Sequence, residues 1–160
     1  MWNITPPRFL VVMLGLNDFR SKSVNVDFSQ WNARMETLLK SYKEAVPNGR
    51  LVVCTACTSC GILNNKAGDF TIRQNAIMWE VRKNIIQTFD KRESEGVYVV
   101  DASITISNDY GYKTLAPELP YEGYTGDSRL TVQDGNPHPY LSYPSLALPI
   151  AAFVQIYRDK

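Results

Sequence analysis

The chain has 160 residues, 44% of them hydrophobic and 21% charged, values that suit one ordinary globular domain and exclude disordered and fibrous classes. Lys and Arg total 17 against 16 for Asp and Glu, a net charge of +1, so no electrostatic field draws the protein to nucleic acid or to an anionic membrane. Its function must therefore lie in a localised site.

In chain order, the first element follows Pro6 and Pro7. Phe9 to Leu14 is a short apolar run rich in β-branched residues and closed by Gly15, and it predicts a strand buried on both faces. Trp31, Met35, Leu38, Leu39 and Tyr42 recur at helical spacing behind a cap at Asp27 or Ser29, and Pro47-Asn48-Gly49 ends that helix. Leu51 to Cys54 predicts a second strand, Met78, Val81, Ile85 and Phe89 a second helical stripe, and Val97 to Val100 a third strand. Strands alternating with helices imply a parallel sheet with right-handed crossovers, covered by helices.

Beyond Asp101 a long stretch reaches to about Asn136 with Gly and Pro interspersed and little periodicity, the character of a functional lid or binding loop. Tyr110, Tyr112, Tyr121 and Tyr124 lie in it and are either a platform for sugar rings or the buried anchors of the loop. A last helix is expected to begin near Ser145, with Pro149 in its first turn, where the missing N–H matters least. Leu146, Ile150, Phe153, Val154 and Tyr157 would pack it down. No internal repeat or linker divides the chain, so residues 1–160 read as a single domain.

Cys54, Cys57 and Cys60 are too few and too close for a disulfide framework, and their odd number leaves a thiol free, which points to a reducing compartment. Their spacing lacks a fourth ligand, since position 64 is Asn, so neither an iron–sulfur cluster nor a zinc site is expected, and no cofactor is implied. The opening residues carry no secretory signal. A complete chain would on that reading be cytoplasmic, and one missing an N-terminal part could be secreted.

Two segments carry chemistry. Val12-Met13-Leu14-Gly15-Leu16-Asn17-Asp18 sends a buried strand straight into Gly-x-Asn-Asp at its carboxyl end, where open parallel sheets bind ligands. An ordinary strand-to-loop turn uses the same residue types. Asp134-Gly135-Asn136-Pro137-His138-Pro139 holds the chain's only histidine, just ahead of the last helix, with Tyr143 and Ala147 at Tyr-x-x-x-Ala spacing.

Together these segments resemble the third and fifth conserved blocks of the SGNH (GDSL-type) ester hydrolases. The resemblance implies a three-layer α/β/α, flavodoxin-like fold and an acyl esterase, most naturally one that deacetylates a carbohydrate. It assigns Asn17 as the oxyanion donor, Gly15 and Asp18 as the residues shaping its turn, His138 as general base and Asp134 as the group orienting it. The chain departs from the family in placing Asp134 four rather than three residues before His138, and in having Gly at position 135. It also lacks the Gly-Asp-Ser block and the first strands, because Ser21, Ser23 and Ser59 sit in turn or cap contexts rather than in a nucleophile's. The nucleophilic serine would then come from a missing segment or another chain. The open edge of the first strand would pair with that segment or with a second copy. The alternative class is a non-catalytic carbohydrate-binding or interaction protein that keeps the fold.

Overall fold

A computed structural model of the chain describes residues 7–19, 25–55, 68–105 and 143–158, with side chains given for all of these except 68–75. Three strands, β1 (Phe9–Val12), β2 (Arg50–Cys54) and β3 (Val97–Val100), form a wholly parallel sheet in the order β1-β2-β3. The register pairs Val11 with Val52 and Val52 with Tyr98. The helices are α1 (Leu16–Phe19), α2 (Ser29–Ala45), α3 (Gly68–Phe89) and α4 (Tyr143–Tyr157), with 3₁₀ turns at Glu93–Glu95 and Ala102–Thr105. The chain is thus a mixed α/β protein with helices on both faces of a parallel sheet.

Alternation along the strands sends side chains to two separate cores. On one face Val12, Leu51, Val53 and Val97 are buried with Trp31, Met35, Leu39 and Tyr42 of α2 and with Ile77, Met78, Val81, Ile85 and Phe89 of α3. The helical stripes read from the sequence are the ones that pack here. On the other face Val52, Cys54, Val100 and Ala102 are buried, and Phe9, Met13, Leu146, Ile150 and Phe153 pack against them. Among the described residues α4 covers this face, whereas α1, α2 and α3 pack on the opposite one.

Three expectations change in detail. The first strand ends at Val12, and Val11 is 39% exposed, so it is not buried on both faces. It lies at the edge of the sheet among the described residues, paired only with β2, and α4 leans towards β3, where Tyr98 meets Phe153 and Tyr157. The last helix begins at Tyr143 rather than near Ser145, which places Pro149 in its interior. The proline has no N–H to give the carbonyl of Ser145 one turn back. Thr105 takes that place: its Oγ1 lies 2.9 Å from Ser145 O and 2.8 Å from Ala102 O, sharing one proton between them. A side chain from the turn after β3 thus repairs the helix and ties it to the sheet. At the other end of α4, Arg8 and Arg50 donate to the carbonyls of Arg158 and Tyr157 at 2.5 and 3.1 Å, a favourable use of cations at a helix C-terminus. The third change is at the start of α2, where Asp27 accepts the Ser29 N–H at 2.9 Å while Phe28 holds the cap position.

Candidate functional site at the carboxyl end of the sheet

The turn after β1 is built around Gly15. Its φ of +112° is a conformation that L side chains rarely adopt, and a Cβ there would lie 2.9 Å from Val81 Cγ1 of α3. Only glycine lets the chain turn this tightly against the helix. Four residues on, buried Phe19 anchors the far end of α1 through edge contacts to Phe28 and Trp31 at 5.0 and 6.1 Å, and its N–H bonds the Gly15 carbonyl at 3.1 Å. With both ends pinned, Asn17 and Asp18 are left exposed at the carboxyl end of the sheet. Asn17 makes no side-chain hydrogen bond among the described residues. Its amide donors are uncommitted on a turn whose two ends are packed.

A second polar cluster occupies the same end of the sheet. Thr55 and Asp101 directly follow the last residues of β2 and β3, and the fully buried Thr55 hydroxyl donates to Asp101 Oδ1 at 2.6 Å while accepting the Ser103 N–H at 3.1 Å. Ser103 Oγ donates to the same carboxylate at 2.8 Å, and Arg82 Nε lies 3.0 Å from both its oxygens, with Nη2 closing a bidentate pair. The Arg82 guanidinium also stacks over the Trp79 ring, 4.5 Å from its centroid. Burial pushes the Asp101 carboxyl up, but hydrogen bonds from Arg82, Thr55 and Ser103 and the Arg82 charge outweigh it and hold the group below the ordinary carboxylate value. An acceptor so fully engaged is a strut joining two strand ends to α3, and is badly placed to take a proton. The sequence reading missed this cluster. Its signal was a polar residue immediately after each of two apolar strands, the position at which parallel sheets expose side chains to a crevice.

Cys54 is buried at the end of β2, and burial raises its thiol to about 12, so it stays protonated and inert. Among the described residues no group of three or more His, Cys, Asp or Glu side chains is placed to hold a metal, and no helix is long and apolar enough to cross a membrane. A cleft of about 630 Å³ opens at the opposite, amino end of the sheet and is lined in part by Arg8, Lys43 and Arg50. Lys43 donates to Gly49 O at 2.9 Å, and both arginines serve the end of α4, so these cations are occupied with structure.

No family model, no curated protein and no solved structure matches the chain. The site is accordingly described by its own geometry. Of the residues singled out in the sequence, Gly15, Asn17 and Asp18 are brought together in one turn at the carboxyl end of β1. His138, Asp134, Tyr110, Tyr112, Tyr121 and Tyr124 lie outside the described residues, as do Cys57, Cys60, Ser21, Ser23 and Ser59.

Proposed function

We propose that the protein works as an ester hydrolase of the flavodoxin-like SGNH type, releasing an acyl group from a carbohydrate. The observation that carries the reading is the Asn17 amide, exposed and without a hydrogen-bond partner among the described residues, on a turn that Gly15 alone permits. A side-chain amide that donates to the oxyanion of a tetrahedral intermediate stabilises its developing charge, and removing one such donor costs on the order of 10²–10³ in kcat.

In this reading a serine hydroxyl attacks the acyl carbonyl, His138 takes its proton, and Asp134 holds the imidazole tautomer. Asn17 donates to the carbonyl oxygen as it becomes negative. His138 then returns the proton to the sugar oxygen as the acyl–oxygen bond breaks, leaving an acyl-serine that water hydrolyses by the same sequence. The serine belongs to another segment or chain.

The test is acyl release from a small activated ester and from an acetylated carbohydrate, by the 160-residue chain alone and by the chain purified from its native cells with its bound polypeptides. The expected result is negligible turnover by the chain alone. The native assembly should turn over, with Asn17→Ala lowering kcat about 10²–10³-fold at little change in KM and His138→Ala abolishing activity. Robust turnover by the chain alone that His138→Ala abolishes would show a nucleophile within these residues. An assembly whose activity neither substitution alters would end the reading.

A further inference from the structure

The two faces of the sheet are held by unequal means. On one face both helices contribute side chains that are themselves buried, Met35 and Leu39 from α2 and Val81 and Ile85 from α3. On the other face the buried side chains, Val52, Cys54, Val100 and Ala102, belong to the strands and the turn after β3, and α4 has no buried residue of its own. Leu146, Ile150 and Phe153 lie half-buried against the sheet. They recover only part of the roughly 1.5–3 kcal/mol that full burial of such a side chain provides.

The helix is also weak in itself. It has 15 residues, and Pro149 in its interior removes one N–H from the ladder. A helix of this length is marginal in water when it stands alone, so α4 is helical because it is docked. Its polar fixings lie at its ends, where Thr105 bonds the Ser145 carbonyl and Arg50 and Arg8 bond those of Tyr157 and Arg158. Between them the rings of Phe153 and Tyr157 meet Tyr98, and Phe153 meets Phe9.

The sheet backbone separates these groups from the side chains that hold α2 and α3. Removing α4 therefore leaves the contacts of the other core in place. An element with few buried contacts opens as a unit at a lower free energy than the global transition.

We infer that α4 is a strap that undocks and unwinds as one unit while β1, β2, β3, α2 and α3 stay folded, uncovering Val52, Cys54 and Val100 on the sheet face beneath it. The inference is independent of the hydrolase reading, since it uses neither Asn17 nor His138.

Cys54 reports the opening. Under α4 its thiol is buried and held protonated, and it is inert to alkylation; uncovered, it regains the reactivity of an ordinary thiol. The test is iodoacetamide labelling of the 160-residue chain carrying Cys57→Ser and Cys60→Ser, which leaves Cys54 as its one thiol, with backbone amide exchange followed on the same protein. Cys54 and the α4 amides should report one opening, at least about tenfold more populated than the one that exposes the Met35, Leu39 and Val81 amides. Two variants separate the events. Thr105→Val loosens α4 and should speed Cys54 labelling about 5-fold. Ile85→Val weakens the opposite core and should lower protection of the α2 and α3 amides about 5-fold. It should leave Cys54 labelling unchanged, because Ile85 packs alike whether α4 is docked or not. Labelling that rises with Ile85→Val in step with the core amides would show a single cooperative unit and overturn the inference. So would α4 amides protected as strongly as those of Leu39 and Val81, or a labelling rate indifferent to Thr105→Val.

Discussion

At the scale of single residues, the molecule commits its polar groups unevenly. Asp101 accepts from three side chains, whereas Asn17 accepts from and donates to none among the described residues. The first arrangement stores stability and the second leaves a donor for use. Asp101→Asn should therefore cost about 2–3 kcal/mol, because Arg82 loses its charged partner and the Thr55 and Ser103 bonds weaken. Its pH dependence has a definite sign. The folded carboxyl titrates below the unfolded value near 3.8, so the unfolded state binds the extra proton, and the stabilisation present above that value is lost as the pH falls through the folded one. Urea midpoints of wild type and Asp101→Asn should differ at neutral pH and converge well below pH 4. A gap that stays constant would show that Asp101 is not ionised in the fold. Gly15→Ala meets both a forbidden φ and the Val81 methyl, and should destabilise by about 2 kcal/mol or more in thermal melts. A neutral Gly15→Ala would mean that the turn relaxes freely, and Asn17 would then not be fixed.

Among the elements, α4 shows how one irregularity is absorbed. Thr105→Val leaves the Ser145 carbonyl without its donor and should cost about 1 kcal/mol, read from denaturant midpoints. Pro149→Ala restores a helical N–H to the same carbonyl, so in that background Thr105→Val should be close to neutral. Equal costs in both backgrounds would remove the hydroxyl from this role. The same helix marks where sequence reading stopped. Its apolar spacing foretold Leu146, Ile150 and Phe153 on the sheet, but the rule that proline belongs in a first turn moved its start from Tyr143 towards Ser145, because a repair by Thr105, 44 residues from Pro149, leaves no local signal. The buried stripes of α2 and α3 and the three strands were legible because periodicity records burial directly. The exposure of Val11 was not, since an apolar run reads as buried on both faces; that the strand has an open edge was expected only from the family resemblance. Of the candidate site, the Gly15–Asp18 turn was legible from its residue types. The Asp101 cluster escaped because its members are brought together only by the pairing of β2 with β3 and the packing of α3.

At the scale of the whole molecule, the carboxyl end of the sheet gathers the Gly15 turn, the Thr55–Asp101 strut and α3 around Val81 and Arg82, and we read it as the place where the acyl ester is bound. The account depends on His138 coming to the same end as Asn17. His138 is the only histidine in the chain, so between about pH 5 and 8 its imidazole is the one side chain whose ordinary titration falls in range. The most direct measurement is a titration by nuclear magnetic resonance in which the Asn17 side-chain amide and the His138 ring protons are followed together. If the two groups face a common substrate position, within about one Debye length of 8–10 Å, the Asn17 amide signals will move with the midpoint of His138, and His138→Gln will abolish the movement. Asn17 signals that stay still while His138 titrates would place the two residues apart and contradict the hydrolase reading.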